Sequence, residues 1–217
     1  MPDVIALVPV KNLTVGKSRL SNLLEADERA ALIPAMVTDI FNALADFIRM
    51  RVLVVTGDSR VADMAQARGF LTLMETTCVS ETSAIETATR KAGELDAGGT
   101  LVVPGDIPLV RPDDFAAVLE AAPSRGTLLV PAWDGRGTNA VLRAPHDLFP
   151  LRFGNDSFVP HRAAAEQTDN PCVVLHNERI ALDIDSPEDL FRFLEFPGNQ
   201  TLTRRVLESL QLARRRR

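Results

Sequence analysis

Carboxylates and cations in this sequence stand where metal and phosphate chemistry would need them. Asp106 directly follows an apolar run, within Val102-Val103-Pro104-Gly105-Asp106-Ile107-Pro108-Leu109. Two prolines and a glycine fix the backbone around it. A carboxylate so held suits Mg²⁺, which takes one or two carboxylates together with phosphate oxygens. The plainer use of such an Asp is to cap a turn. A second acidic group follows in Leu182-Asp183-Ile184-Asp185-Ser186-Pro187-Glu188-Asp189-Leu190. Read as the end of a strand over 180–184, it puts Asp183 and Asp185 on one face. Two carboxylates on one face repel unless a cation lies between them. Ser186 with Asp189 reads as a capping box for a helix from Pro187.

The cations come early. Pro9, Val10 and Lys11 end the first apolar run, and a loop with Gly16 leads to Lys17-Ser18-Arg19-Leu20. Loop amides with Lys11, Lys17 and Arg19 before a helix suit a triphosphate. The spacing is neither a Walker A loop nor GxGxxG, and a plain solvated loop is the alternative. A further group joins Asp134-Gly135-Arg136-Gly137-Thr138-Asn139 to Phe153-Gly154-Asn155-Asp156-Ser157-Phe158 and His161. Ser157 is expected to cap a helix through Ala163–Glu166 and to offer an anion site there. His161 is a candidate phosphate or carboxylate contact, and Trp133 a packing residue or pocket wall. A hairpin turn and an ordinary helix cap are the alternative for this stretch.

These positions need strands to hold them. Apolar runs at Val4–Val10, Val52–Val55, Phe70–Met74 and Thr100–Val103 read as strands buried on both faces. Helical patterns fall between them: one running through Leu23, another from about Asp27 to Phe47, then 59–68 and Ser83–Leu95. In the second, Leu32, Met36, Ile40 and Leu44 form one apolar stripe. Pro112-Asp113-Asp114 opens a further helix. Strands near 128–132, 138–143 and 172–175 follow. Alternating strands and helices predict an α/β, Rossmann-like domain with a mostly parallel sheet and helices on both faces. We read residues 1–217 as one domain. Its nucleotide-binding half is 1–110, and 111–217 is an acceptor-binding half with a mixed or antiparallel extension and a last helix. Ligands of such sheets bind at the carboxyl ends of the strands, where the residues above fall.

The composition is ordinary for a globular chain: 217 residues, 46% hydrophobic, net charge −5. The negative balance argues against non-specific nucleic-acid binding, and Arg214–Arg217 reads as a solvated terminal run. No apolar run reaches the ~20 residues of a membrane span, and the start lacks the basic and apolar regions of a signal peptide. Cys78 and Cys172 have neither zinc spacing nor a disulfide pattern, so a reduced cytoplasmic setting is expected. Val206 and Leu210 are expected as exposed apolar residues of the last helix, able to support a homodimer in place of a monomer.

The motifs together resemble the CofC/FbiD family of guanylyltransferases, which serve biosynthesis of the deazaflavin coenzyme F-420. The resemblance runs through Val8–Lys11 with Lys17–Leu20, Pro104–Pro108, Asp134-Gly135 with Gly137-Thr138-Asn139-Ala140, Phe153-Gly154 with Ser157-Phe158 and His161, and Leu182–Leu190, in that order. It implies a fold like the MobA-type nucleotidyltransferases, GTP as donor, Mg²⁺ or Mn²⁺ as metal, and pyrophosphate as product. It implies that Asp106, Asp183 and Asp185 bind the metal. It implies further that Thr138, Gly154 and Ser157 hold a phosphorylated acceptor, and that Pro9, Val10, Lys11, Lys17, Arg19 and Gly105 hold the nucleotide. The acceptor is a small phosphorylated hydroxy or enol acid: phosphoenolpyruvate, 2-phospho-L-lactate or 3-phosphoglycerate. A downstream transferase that takes the product is an implied partner. One departure stands out. The family carries Gly-Leu-Asn where the third helix opens, and this chain reads Val79-Ser80-Glu81-Thr82-Ser83-Ala84-Ile85. That segment is expected near nucleotide and acceptor, so it bears on base preference or on the acceptor acid. The alternatives are a cytidylyl or molybdopterin-type transferase of similar fold and a non-catalytic GTP-binding subunit.

Overall fold

The computed structural model describes residues 3–13, 16–75, 80–154 and 156–210. Cys78, Val79, Asn155 and the Arg214–Arg217 run lie outside the described residues. Seven strands form one sheet: β1 Val4–Pro9, β2 Arg51–Thr56, β3 Leu71–Met74, β4 Gly99–Val102, β5 Gly126–Pro131, β6 Thr138–Ala144 and β7 Cys172–Val174. Their order is β3-β2-β1-β4-β6-β5-β7. β1 pairs in parallel with β2 and β4, and β2 with β3. β6 runs antiparallel to both β4 and β5, while β7 is parallel to β5. This is the expected mixed extension, reduced to one reversed strand.

The continuous apolar runs follow from burial on both sheet faces. Ala6 and Val8 of β1 point into one core with Phe41, Phe115 and Phe193. Ile5 and Leu7 point into the other with Ala84, Ile85 and Phe149. α1 (Ala26–Asp46) buries the predicted stripe, with Leu32, Met36, Ile40 and Leu44 at most 2% exposed. α2 (Ser59–Gln66) starts where the Asp58 side chain accepts from Arg60 N, and α3 (Glu81–Glu94) where Ser80 accepts from Ser83 N. α4 (Pro112–Ala121), α5 (Phe158–Glu166), α6 (Glu178–Ala181), α7 (Pro187–Glu195) and α8 (Leu202–Ser209) follow among the described residues. Ser186 and Asp189 form the predicted capping box of α7.

Four local expectations need correction. The helix expected through Leu23 is only a 3-10 turn, Ser18–Leu20. The segment over 180–184 is not a strand: the Asn177 side chain accepts from Arg179 N and Ile180 N and winds the chain into α6. A local side-chain cap won over a weak period-two pattern. Ser157 begins α5 without donating or accepting a side-chain cap bond. Val206 and Leu210 are half-buried rather than exposed. The carboxylate of Asp39 on α1 accepts from Leu202 N, Thr203 N and Thr203 Oγ1, which pins α8 onto α1. That partner is invisible to periodicity.

The reversed strand decides where the site forms. β1 to β4 end at one edge of the sheet. β6, running the other way, begins at that edge. With Val102 opposite Val141, its first residues Thr138 and Asn139 extend past the end of β4 toward Asp106.

Candidate active site

The acids meet because two loops are tied to each other. After β4 the chain turns through Pro104-Gly105-Asp106. A side chain at Gly105 would place its Cβ 3.0 Å from Val10 Cγ2, so glycine lets this loop lie against the end of β1 without displacing Val10. Ile184 N donates to Asp106 O at 3.1 Å and draws the 183–185 segment alongside. The Asn139 amide donates to Ala181 O at 2.8 Å and Asp183 Oδ1 at 2.9 Å, fixing the same segment from β6. One oxygen each of Asp106, Asp183 and Asp185 then lies within 4.8 Å of the others. At an effective dielectric near 20, each ionised pair at that separation repels by on the order of 3 kcal/mol. Three bare carboxylates do not coexist there without a cation or a retained proton.

Both remedies are present. Lys17 Nζ donates to Asp106 Oδ2 and Asp185 Oδ1, each at 2.5 Å. Burial alone would lower the Lys17 ammonium, but the charges of Asp106 and Asp185 outweigh it and raise the group above its ordinary value. Burial, then Asp106, push Asp183 up to about 7. Asp106 Oδ1 stays buried with no hydrogen-bond partner among the described residues. An orphaned carboxylate oxygen beside two further carboxylates suits a hard divalent cation, so the residues fit the metal that the resemblance implies.

Two cavities share this acidic wall. One, about 330 Å³, is lined by Pro9, Val10, Lys11, Lys17, Gly105 and Glu75. The other, about 530 Å³, is lined by Arg19, Thr138, Gly154, Ser157, Arg136 and Asp183. Asp106, Asp185, Pro104 and Glu81 line both. The three loop cations are therefore divided: Lys11 and Lys17 face the first cavity, Arg19 the second. A larger concavity of about 1070 Å³ lies along α6 and α7. It is lined by none of the three acids and shares Ala132, Glu188 and the half-buried Trp133 with the second cavity. There Trp133 donates from Nε1 to Asp189, and the Arg192 guanidinium sits 4.1 Å from its ring. Size alone does not mark the site here.

In the second cavity a polar network stands behind Thr138. Ser157 Oγ lies 3.3 Å from Thr138 Oγ1, within hydrogen-bond reach, and His161 Nδ1 lies 3.0 Å from the same oxygen. His161 does not line the cavity. Its ring is 1% exposed, and Nε2 accepts from Arg152 N at 3.0 Å. Burial, with the charge of Arg143, lowers it to about 4, so it is neutral. Gly154 has φ 143° and no atom near its missing side chain, so glycine answers a backbone need. Thr82 Oγ1 accepts from Phe153 N at 3.1 Å, tying the start of α3 to this loop.

Glu81 was not foreseen as a site residue, although the departure that contains it was. It is the first residue of α3 and faces both cavities. Burial, then the charge of Asp106, raise its carboxyl above the ordinary value. The Ser80 cap could have placed it in a first helical turn, but nothing in the sequence says that the turn points at Asp106. Glu75, after β3, is likewise raised by burial, with Lys11 opposing.

With this geometry in hand, comparison with known proteins is decisive for the family. The profile of the family described as "Guanylyl transferase CofC like" matches residues 4–216. The phosphoenolpyruvate guanylyltransferase of Rubrobacter xylanophilus is 38% identical over 94% of this chain and 100% of its own. The 2-phospho-L-lactate guanylyltransferase of Methanothermobacter thermautotrophicus is 33% identical over 95% and 90%. A crystal structure named for a nucleotide-diphospho-sugar transferase of Desulfovibrio desulfuricans G20 superposes with TM-score 0.81 at 20% identity, covering 99% of this chain and 98% of that one. At that identity it is the fold that is shared. The chain belongs to the CofC-like guanylyl transferase family and has the nucleotidyltransferase fold.

Proposed function

We propose that this protein moves GMP from GTP onto the phosphate of a small phosphorylated carboxylic acid and releases pyrophosphate, a step in coenzyme F-420 assembly. The observation that carries the reading is the shared acidic wall. A nucleotide in the first cavity and an acceptor in the second would meet at Asp106 and Asp185.

The chemistry needs no strong base, because the acceptor phosphate is already a nucleophile. One of its oxygens attacks the α-phosphorus in line. The new O–P bond forms as the bond to the β-phosphate breaks, and pyrophosphate departs with the electron pair. Asp106, Asp183 and Asp185 would hold Mg²⁺, which supplies Lewis-acid stabilisation of charge on phosphate oxygens. Lys11 and Lys17 line the nucleotide side and stabilise charge on the leaving pyrophosphate. Arg19 serves the acceptor side, with Thr138, Ser157 and the Gly154 backbone holding the acid.

Glu75 fits the base. It follows β3, three strand spacings or roughly 14 Å along the sheet edge from the β4 loop that carries Asp106. Guanine offers two adjacent donors, N1–H and N2–H, and a carboxylate accepts both. Adenine and cytosine lack that pair.

The test is pyrophosphate release with GTP, CTP and ATP against phosphoenolpyruvate, 2-phospho-L-lactate and 3-phosphoglycerate, coupled to the downstream transferase. Turnover is expected with GTP and one of the three acids, phosphoenolpyruvate first, since the 38%-identical relative is named for it. Release with CTP or ATP but not GTP, or none with any acid, overturns the reading.

A further inference from the structure

His161 sets the direction in which Thr138 can hydrogen-bond. A neutral histidine carries one N–H and one lone pair on its ring nitrogens. Nε2 accepts the backbone N–H of Arg152 at 3.0 Å, so the lone pair is there and the proton is on Nδ1. Nδ1–H therefore donates to Thr138 Oγ1, 3.0 Å away. Ser157 Oγ lies 3.3 Å from the same oxygen, within hydrogen-bond reach. A hydroxyl has two acceptor sites and one proton. Thr138 and Ser157 share one contact and two hydroxyl protons, and with the His161 N–H already on Thr138 Oγ1, one proton of the pair is left over whichever hydroxyl donates to the other. Thr138 lines the cavity that also holds Gly154, Ser157 and Arg19. An anionic oxygen entering there meets that free proton.

The ring is held for this purpose. Phe153 packs edge-on against it, with centroids 4.9 Å apart and planes at 64°. The ring is 1% exposed, so water does not compete for Nδ1–H. The low value of about 4, from burial and Arg143, keeps the ring neutral at working pH.

We propose that His161 is a positioning residue that holds the Thr138–Ser157 hydroxyl pair so that its free proton is donated to an anionic oxygen of the acceptor acid, and so sets acceptor affinity rather than the chemical step. This rests on the guanylyltransfer reading for the identity of the acceptor, but it is tested separately. The probe is phosphoenolpyruvate. Its affinity is measured by calorimetry, and its KM and kcat by pyrophosphate release. His161→Leu and Thr138→Val should each weaken phosphoenolpyruvate about tenfold to hundredfold, the range for a lost hydrogen bond to a charged group. For His161→Leu, whose ring does not line the cavity, the GTP KM and kcat should stay within about threefold, an allowance for ordinary context dependence. The double variant should be no weaker than Thr138→Val alone, because both act through one proton. His161→Asn, which keeps an N–H toward Thr138, should recover most of the affinity. In the unaltered protein, ¹⁵N NMR should show Nδ1 protonated and Nε2 bare. A proton on Nε2, or losses that add fully in the double variant, overturns the proposal. The NMR result stands even where a variant fails to fold. Absence of turnover with GTP and any acid would defeat the guanylyltransfer reading, not this one.

Discussion

The acidic wall and the Thr138 network lie beside one cavity and hold buried polar groups in opposite ways. Around Thr138 the buried polar atoms meet one another: Nε2 of His161 takes Arg152 N, and Thr138 Oγ1 lies within hydrogen-bond reach of His161 Nδ1 and Ser157 Oγ. At the wall, Asp106 Oδ1 has no partner among the described residues, and Asp183 is pushed up to about 7. A closed network fixes a geometry, because each proton has one place to go. An open one stores unfavourable interactions that a ligand relieves. The contrast separates a network that orients a donor from a wall that awaits a cation.

The contrast is tested most severely at Asp106. Asp106→Asn keeps the shape and removes a ligand charge. Turnover should fall by at least about two orders of magnitude, while circular dichroism and the melting temperature stay near those of the unaltered protein. Near-normal turnover would mean that the wall is only a turn. Lys17→Met is the next step down. It removes the ammonium that bridges Asp106 and Asp185, and breaking a buried pair costs about 3 kcal/mol where the remaining charge stays buried. Asp185 is partly exposed, so a smaller loss of about 2 kcal/mol is expected in chelator. Added Mn²⁺ should restore much of it, read as a melting-temperature shift. No metal-dependent recovery would show that the carboxylates are not open to a cation.

How much of this was legible beforehand follows the same division. The parallel strands and α1 were readable because burial on both faces leaves a one-dimensional mark, the apolar run or the four-residue stripe. Asp106 was readable because it follows β4, and strand ends are where such sheets bind ligands. The 180–184 segment was misread: its two acids meet Asp106 through the Ile184–Asp106 backbone bond and the Asn139 amide, not through strand alternation. Glu81 was invisible as a wall residue, since facing Asp106 depends on how α3 packs after a loop. His161 was seen as a candidate contact. Its place behind Thr138 depends on a fold that brings residues 138, 152 and 161 together.

Glu75 sharpens the open side, because there the open group should read a base rather than hold a metal. Glu75→Gln keeps the size but turns one acceptor into a donor. For GTP, kcat/KM should fall by about tenfold to hundredfold, since a site built for a hydrogen-bonded edge strongly rejects a mismatch. Inosine triphosphate, which lacks N2–H, should lose less than GTP. Equal losses for the two nucleotides would remove Glu75 from base recognition and leave it as a surface carboxylate of the cavity.

The smallest effect concerns the closed side, and it has a fixed sign. His161 is lowered to about 4 in the folded protein, from an ordinary value of 6.5. Between those values the unfolded chain binds a proton that the folded chain refuses. Stability therefore rises with pH through this window and falls as pH drops from about 6.5 toward 4. From pH 7 to pH 5.5 the loss due to this residue should be about 1 kcal/mol. Denaturant titrations at the two pH values measure it, with His161→Asn as the reference because asparagine does not titrate. The difference between the two proteins isolates His161 from the carboxylates, which change in both. If the difference vanishes, the ring takes up a proton as easily folded as unfolded. The network around Thr138 would then be as open as the wall it faces.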